Sequence, residues 1–65
     1  MSDIKKITKE EASSIIETRT PLGLFYLEDT LNNQPVWVGI DNTTGDAWTE
    51  DFKSKAACCR WLKQG

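Results

Sequence analysis

Residues 35–48 read Pro35-Val36-Trp37-Val38-Gly39-Ile40-Asp41-Asn42-Thr43-Thr44-Gly45-Asp46-Ala47-Trp48. The first six alternate with a period of two, which in a strand puts Val36, Val38 and Ile40 on one face and Trp37 and Gly39 on the other. Asn42-Thr43-Thr44-Gly45 then offers an Asx residue at the first turn position and a glycine where the chain needs a positive φ, so the strand ends in a tight hairpin. Loops this short join antiparallel neighbours, and a third strand, about Asp46 to Glu50, returns alongside. Upstream, Leu22 to Glu28 is rich in aliphatic and aromatic residues, and the polar segment Asp29 to Gln34 carries Asn32-Asn33 as turn formers. The result is a three-stranded antiparallel meander.

On either side of the meander the period becomes helical. Thr8 is an N-cap with Glu11 three residues on, a capping box, and Ile7 and Ala12 occupy the positions of a hydrophobic staple. The spacing predicts a helix from about Lys9 to Thr18 with Ala12, Ile15 and Ile16 on its apolar side. Pro21 disfavours α conformation at Thr20, so the helix stops there. A second helix, about Lys55 to Gln64, takes Ser54 as N-cap with Asp51 as the competing choice, and buries Cys58, Trp61 and Leu62.

A chain of 65 residues makes one core, so residues 1–65 form a single domain. With 38% hydrophobic and 28% charged residues it lies outside the range of disordered chains. The expected architecture is α+β, in the order α-β-β-β-α, with two helices packed on one face of a three-stranded antiparallel meander. The polar start Met-Ser-Asp-Ile-Lys-Lys is unlike a secretory signal, and no apolar run approaches the roughly 18 residues of a membrane span. A cytoplasmic location follows as the expectation.

Pairing Glu28 with Pro35 puts Phe25 and Leu27 on the aliphatic side beneath the helices and leaves Leu24 and Tyr26 beside Trp37. Tyr26 and Trp37 then form an aromatic pair on an open sheet face, and these residue types most often anchor protein interfaces. The competing reading is internal: such a pair stabilises a sheet by roughly 0.2–1 kcal/mol without any partner. A three-residue hairpin loop with a glycine bulge sets Trp48 beside Ile40 in the core, which is the favoured reading. A four-residue loop turns Trp48 to the opposite face.

Charge is segregated along the chain. Between Thr20 and Phe52 only acids occur, namely Glu28, Asp29, Asp41, Asp46, Glu50 and Asp51, whereas Lys53, Lys55, Arg60 and Lys63 follow with no acid. Lys53, Arg60 and Lys63 make a second candidate contact surface, able to steer a charged partner; the local alternative is that basic residues near a helix C-terminus complement its dipole. Acids around the supposed stacking face and a pI near 4.9 argue against nucleic acid as the partner.

Catalytic chemistry has little to work with. The chain contains no histidine, which removes Ser-His and Cys-His nucleophile pairs, and it has no phosphate-cradling glycine loop. Cys58 and Cys59 are adjacent on a helix, so their side chains diverge by about 100° and read as reduced packing residues. Glu28-Asp29 and Glu50-Asp51 read as solvated carboxylates. The loop Asp41 to Asp46 lacks the alternating ligands and distant glutamate of a calcium loop, and the glycosylation sequon at Asn42 carries little weight without a secretory signal. No enzyme activity, metal, cofactor or small-molecule substrate is therefore expected.

The stretch Trp37-Val38-Gly39-Ile40-Asp41-Asn42-Thr43-Thr44-Gly45-Asp46-Ala47-Trp48, followed by Phe52 and Trp61-Leu62, resembles the small uncharacterised proteins of Gram-positive bacteria and their phages. The resemblance spans most of the chain and rests on a hairpin and a helix ending. It implies an accessory protein of a prophage or mobile element that modulates a host or phage protein, with no catalytic residues to carry over. Residues and resemblance together lead to a protein-binding accessory or inhibitor module. The alternative is a homodimer joined through its open sheet face.

Overall fold

The computed structural model describes residues 4–64; Met1–Asp3 of the polar N-terminal stretch and Gly65 lie outside them. The sheet is built around a hairpin of β2 (Leu24–Leu31) and β3 (Gln34–Asp41). Its two-residue turn, Asn32-Asn33, has φ of 53° and 65°, the paired positive values that match strand twist and that asparagine tolerates. Glu28 pairs with Trp37 and Thr30 with Pro35, two residues from the expected Glu28–Pro35 register. A slip of two leaves every side chain on its predicted face.

β4 (Trp48–Phe52) pairs antiparallel with β3, Trp37 opposite Phe52 and Asp41 opposite Trp48. The connection is not the expected three-residue bulged loop but six residues, 42–47, with Gly45 and Ala47 at φ of 86° and 49°. Ile40 therefore faces Thr49. Trp48, expected in the core, instead shares a face with Gly39 and Trp37 and is 63% exposed.

A fourth strand corrects the meander. β1 (Ile4–Lys6) runs parallel to β2, Ile4 opposite Leu24 and Lys6 opposite Tyr26, so the sheet is mixed, in the order β1-β2-β3-β4. Ile7 N–H extends the pairing by donating to Tyr26 O at 2.9 Å. Parallel neighbours need a crossover, which α1 (Lys9–Thr18) supplies. Its capping box is complete: Thr8 Oγ1 accepts from Glu11 N–H and Glu11 Oε1 accepts from Thr8 N–H, both at 3.1 Å. Arg19 closes the helix in the left-handed region at φ 61°, and the Thr20–Pro21 peptide is cis.

The two helices lie on opposite faces of the sheet, not on one. α1 covers the aliphatic side, where Ile7, Ala12 and Ile15 meet Phe25, Leu27 and Ile40, with Val38 and Ala47 partly buried against them. α2 (Lys55–Gln64) begins at Ser54, whose Oγ accepts from Ala57 N–H at 3.1 Å. It crosses the other side, where Cys58 and Leu62 join Leu24 and draw in Ile4, Tyr26, Trp37, Phe52 and Trp61. The physical reason is that the second face is as apolar as the first, and an uncovered face of that size would leave its area in water. Gly39 permits the close approach: a Cβ there would stand 3.1 Å from both Cys58 Sγ and Trp61 Cε3.

One polar residue holds the upper end together. Asn42 is fully buried. Its amide donates to Pro21 O at 2.8 Å and its side-chain oxygen accepts from Ala47 N–H at 3.1 Å, while its backbone exchanges hydrogen bonds with Gly23. The residue read as a turn former thus ties the segment before β2 to the loop before β4.

Candidate functional site

The predicted contact residues fall into two groups. Tyr26 and Trp37 do not form an open patch. Both rings are half-buried under α2, with Lys55 Nζ 5.5 Å from the centroid of the Tyr26 ring in a cation–π arrangement. Trp37 Nε1 is enclosed without a hydrogen-bond partner. Their residue types were read as interface anchors, but an amphipathic helix satisfies the same aromatic surface from within the chain.

Lys53, Arg60 and Lys63 are exposed. Arg60 and Lys63 sit three residues apart and share one side of α2, whereas Lys53 precedes the helix. Among the described residues the side-chain ion pairs are Lys6–Glu28 at 3.8 Å and Lys9–Asp29 at 2.9 Å, neither on α2. The Lys9 contact and the Thr30 N–H together hold the Asp29 carboxyl below its ordinary range.

The feature that sequence reasoning missed is the outer edge of β4. Every residue from Trp48 to Asp51 is exposed, and Phe52 is half-buried against the Trp61 ring, centroids 5.7 Å apart. In an antiparallel ladder, residues alternate between bonding one neighbour and the other. The two-residue turn makes Leu31 and Gln34 a bonded pair, so Gln34, Val36, Val38 and Ile40 bond β2 while Trp37, Gly39 and Asp41 bond β4. Pro35, which has no N–H, falls on the β4 side beyond the last β4 partner, where no donor is needed. It follows that Trp48, Glu50 and Phe52 bond β3, and that the N–H and C=O groups of Thr49 and Asp51 point outward. The signal was present in the Glu50-Asp51 pair and the exposed tryptophan, but it needs the loop length to become legible.

Other features are structural. Cys58 is buried and Cys59 half-buried, both free; burial, with a smaller contribution from Cys59, pushes the Cys58 thiol from 9.0 to about 11, so it is a poor nucleophile. An open groove of about 420 Å³ runs between Leu31, Asn32, Gln34, Pro35, Val36 and Lys53. Among the described residues, no three metal-ligating side chains cluster and no helix is long and apolar enough to cross a membrane.

Compared with protein-family models, with curated proteins and with solved structures, the chain finds no match.

Proposed function

We propose that this chain is a small cytoplasmic protein-binding accessory or inhibitor module, and that its contact surface is the open edge of β4 rather than the Tyr26–Trp37 face. The supporting observation is Trp48, a large ring 63% exposed on a strand whose outer side has no neighbouring strand among the described residues. Single exposed apolar residues are ordinary. This one shares a sheet face with Glu50, on a strand that also carries outward backbone groups and, on its other face, Asp51, so its burial by a partner combines apolar area with directional bonds. Burying such a side chain contributes on the order of 2–3 kcal/mol, enough to make it an anchor. The same acids disfavour a phosphate backbone. The resemblance noted above supports an accessory role in a prophage or mobile element.

Affinity capture from a Gram-positive lysate tests this reading. Wild-type protein retains a partner that Trp48→Ser retains at least about tenfold less well. Since Trp48 is exposed, the variant keeps its stability within about 0.5 kcal/mol. Equal retention by both baits, or none by either, counts against the proposal. A second reading, favoured by the absence, among the described residues, of a carboxylate within ion-pair distance of the α2 cations, places the contact at Lys53, Arg60 and Lys63. Charge reversal at Arg60 and Lys63 separates the two, because it leaves capture through β4 intact.

A further inference from the structure

Building on that reading, we infer that β4 binds its partner by strand addition and that the added strand is an extended, basic segment of a protein. The two edges of the sheet differ in a way that points to one of them. β1 is three residues long and carries Lys5 and Lys6, the usual means of discouraging an incoming strand. β4 is five residues long, with neither lysine, proline nor bulge, and it offers two outward N–H and two outward C=O groups at Thr49 and Asp51. A strand laid beside it satisfies all four, and backbone bonding of this kind supplies affinity while alternate side chains supply selectivity.

The side chains choose the occupant. Glu50 lies on the α2 side of the sheet with Trp48, and Asp51 lies on the α1 side with Thr49, as their pairing with Gly39, Asp41, Val38 and Ile40 requires. An added strand therefore meets one carboxylate on each face, whichever set of its alternate residues faces which way. Directly opposed side chains in a sheet stand about 5 Å apart, close enough for opposite charges to attract and like charges to repel. Lysine or arginine opposite Glu50 and Asp51 is favoured, and a neighbouring cation or apolar chain finds the Trp48 ring. A second copy of this chain fits poorly. In the twofold pairing of β4 with β4 that engages all four outward groups, Thr49 opposite Asp51, Glu50 stands opposite Glu50, the arrangement that cross-strand repulsion penalises.

Nuclear magnetic resonance titration of the full chain with two heptapeptides, one alternating lysine and valine and the other alternating glutamate and valine, tests the inference. The basic peptide is expected to move the amide signals of Thr49 and Asp51 and slow their hydrogen exchange by about tenfold or more at millimolar peptide, and the acidic peptide to do neither. Thr49→Pro removes an outward donor and no bond to β3, so it should keep the fold and abolish these effects. Should proline there disturb folding, the double variant E50K/D51K keeps the backbone and should lose basic-peptide binding at least about tenfold. Shifts confined to α2, equal binding of both peptides, binding of neither, or dimerisation through β4 would each overturn strand addition. A partner captured in a Trp48-dependent manner but held equally by Thr49→Pro also overturns it, and leaves the protein-binding reading standing; loss of Trp48 dependence removes both.

Discussion

Asn42→Ala is expected to remove about 2–4 kcal/mol of folding stability, since it breaks two hydrogen bonds made by a fully enclosed side chain, each worth about 0.5–1.5 kcal/mol, and opens a cavity in its place. The two partners are Pro21 O, which accepts from the Asn42 amide, and Ala47 N–H, which donates to its oxygen. The side chain that bonds them is fully enclosed, while Pro21 is exposed and Ala47 half-buried, so the loss comes from the broken bonds and the emptied site. A domain of this size has roughly 3–10 kcal/mol in all, so the variant should lose a large share of it. Urea denaturation followed by circular dichroism measures the loss. Asn42→Asp keeps the acceptor for Ala47 but turns the donor toward Pro21 into a second acceptor in a buried site, and should be no less damaging at neutral pH. A midpoint within about 0.5 kcal/mol of wild type for Asn42→Ala would show that the loop is solvated and the residue a plain turn former.

Gly39→Val carries the second large effect, and its sign separates two pictures of the fold. A Cβ at this position already stands 3.1 Å from Cys58 Sγ and Trp61 Cε3 and 3.2 Å from Trp61 Cζ3, and valine adds two methyl groups beyond it. Cys58 is buried to the last square ångström and cannot retreat; only Trp61, half-buried, can yield. Overpacking of this kind costs about 1–3 kcal/mol, and lifting α2 would also expose Leu24 and Leu62. Were this face of the sheet open, the same substitution would exchange a poor strand former for a good one and stabilise by up to about 1 kcal/mol. A lowered urea midpoint supports a covered face and a raised one refutes it.

Much of the fold was legible because local chemistry and tertiary structure agree. The Thr8–Glu11 capping box and the Ser54 cap set both helix starts, and the Asn32-Asn33 pair sets the β2–β3 turn. Three features were not. β1 has three residues, two of them lysine, so it has no period of its own and exists only because β2 offers an edge. Helical periodicity shows that α2 has one buried side but not which sheet face it meets; the size of the Leu24, Tyr26, Trp37 and Phe52 surface was the available clue. The loop before β4 is six residues long because Asn42 turns inward, and no composition rule distinguishes that asparagine from an exposed one. The candidate site moved accordingly. Exposure of Lys53, Arg60 and Lys63 followed from period alone, whereas the exposure of Trp48 depended on loop length and that of Tyr26 and Trp37 on the face chosen by α2.

With a helix on each face, the outer edge of β4 is the surface proposed to meet a partner, and amide hydrogen exchange in the free protein reports that edge residue by residue. Glu50 and Phe52, bonded to β3, should exchange on the order of 100-fold more slowly than Thr49 and Asp51, whose N–H groups face solvent. Equal protection of all four amides would contradict the account, because it would mean that the outer side of β4 is already paired or that the strand is not formed.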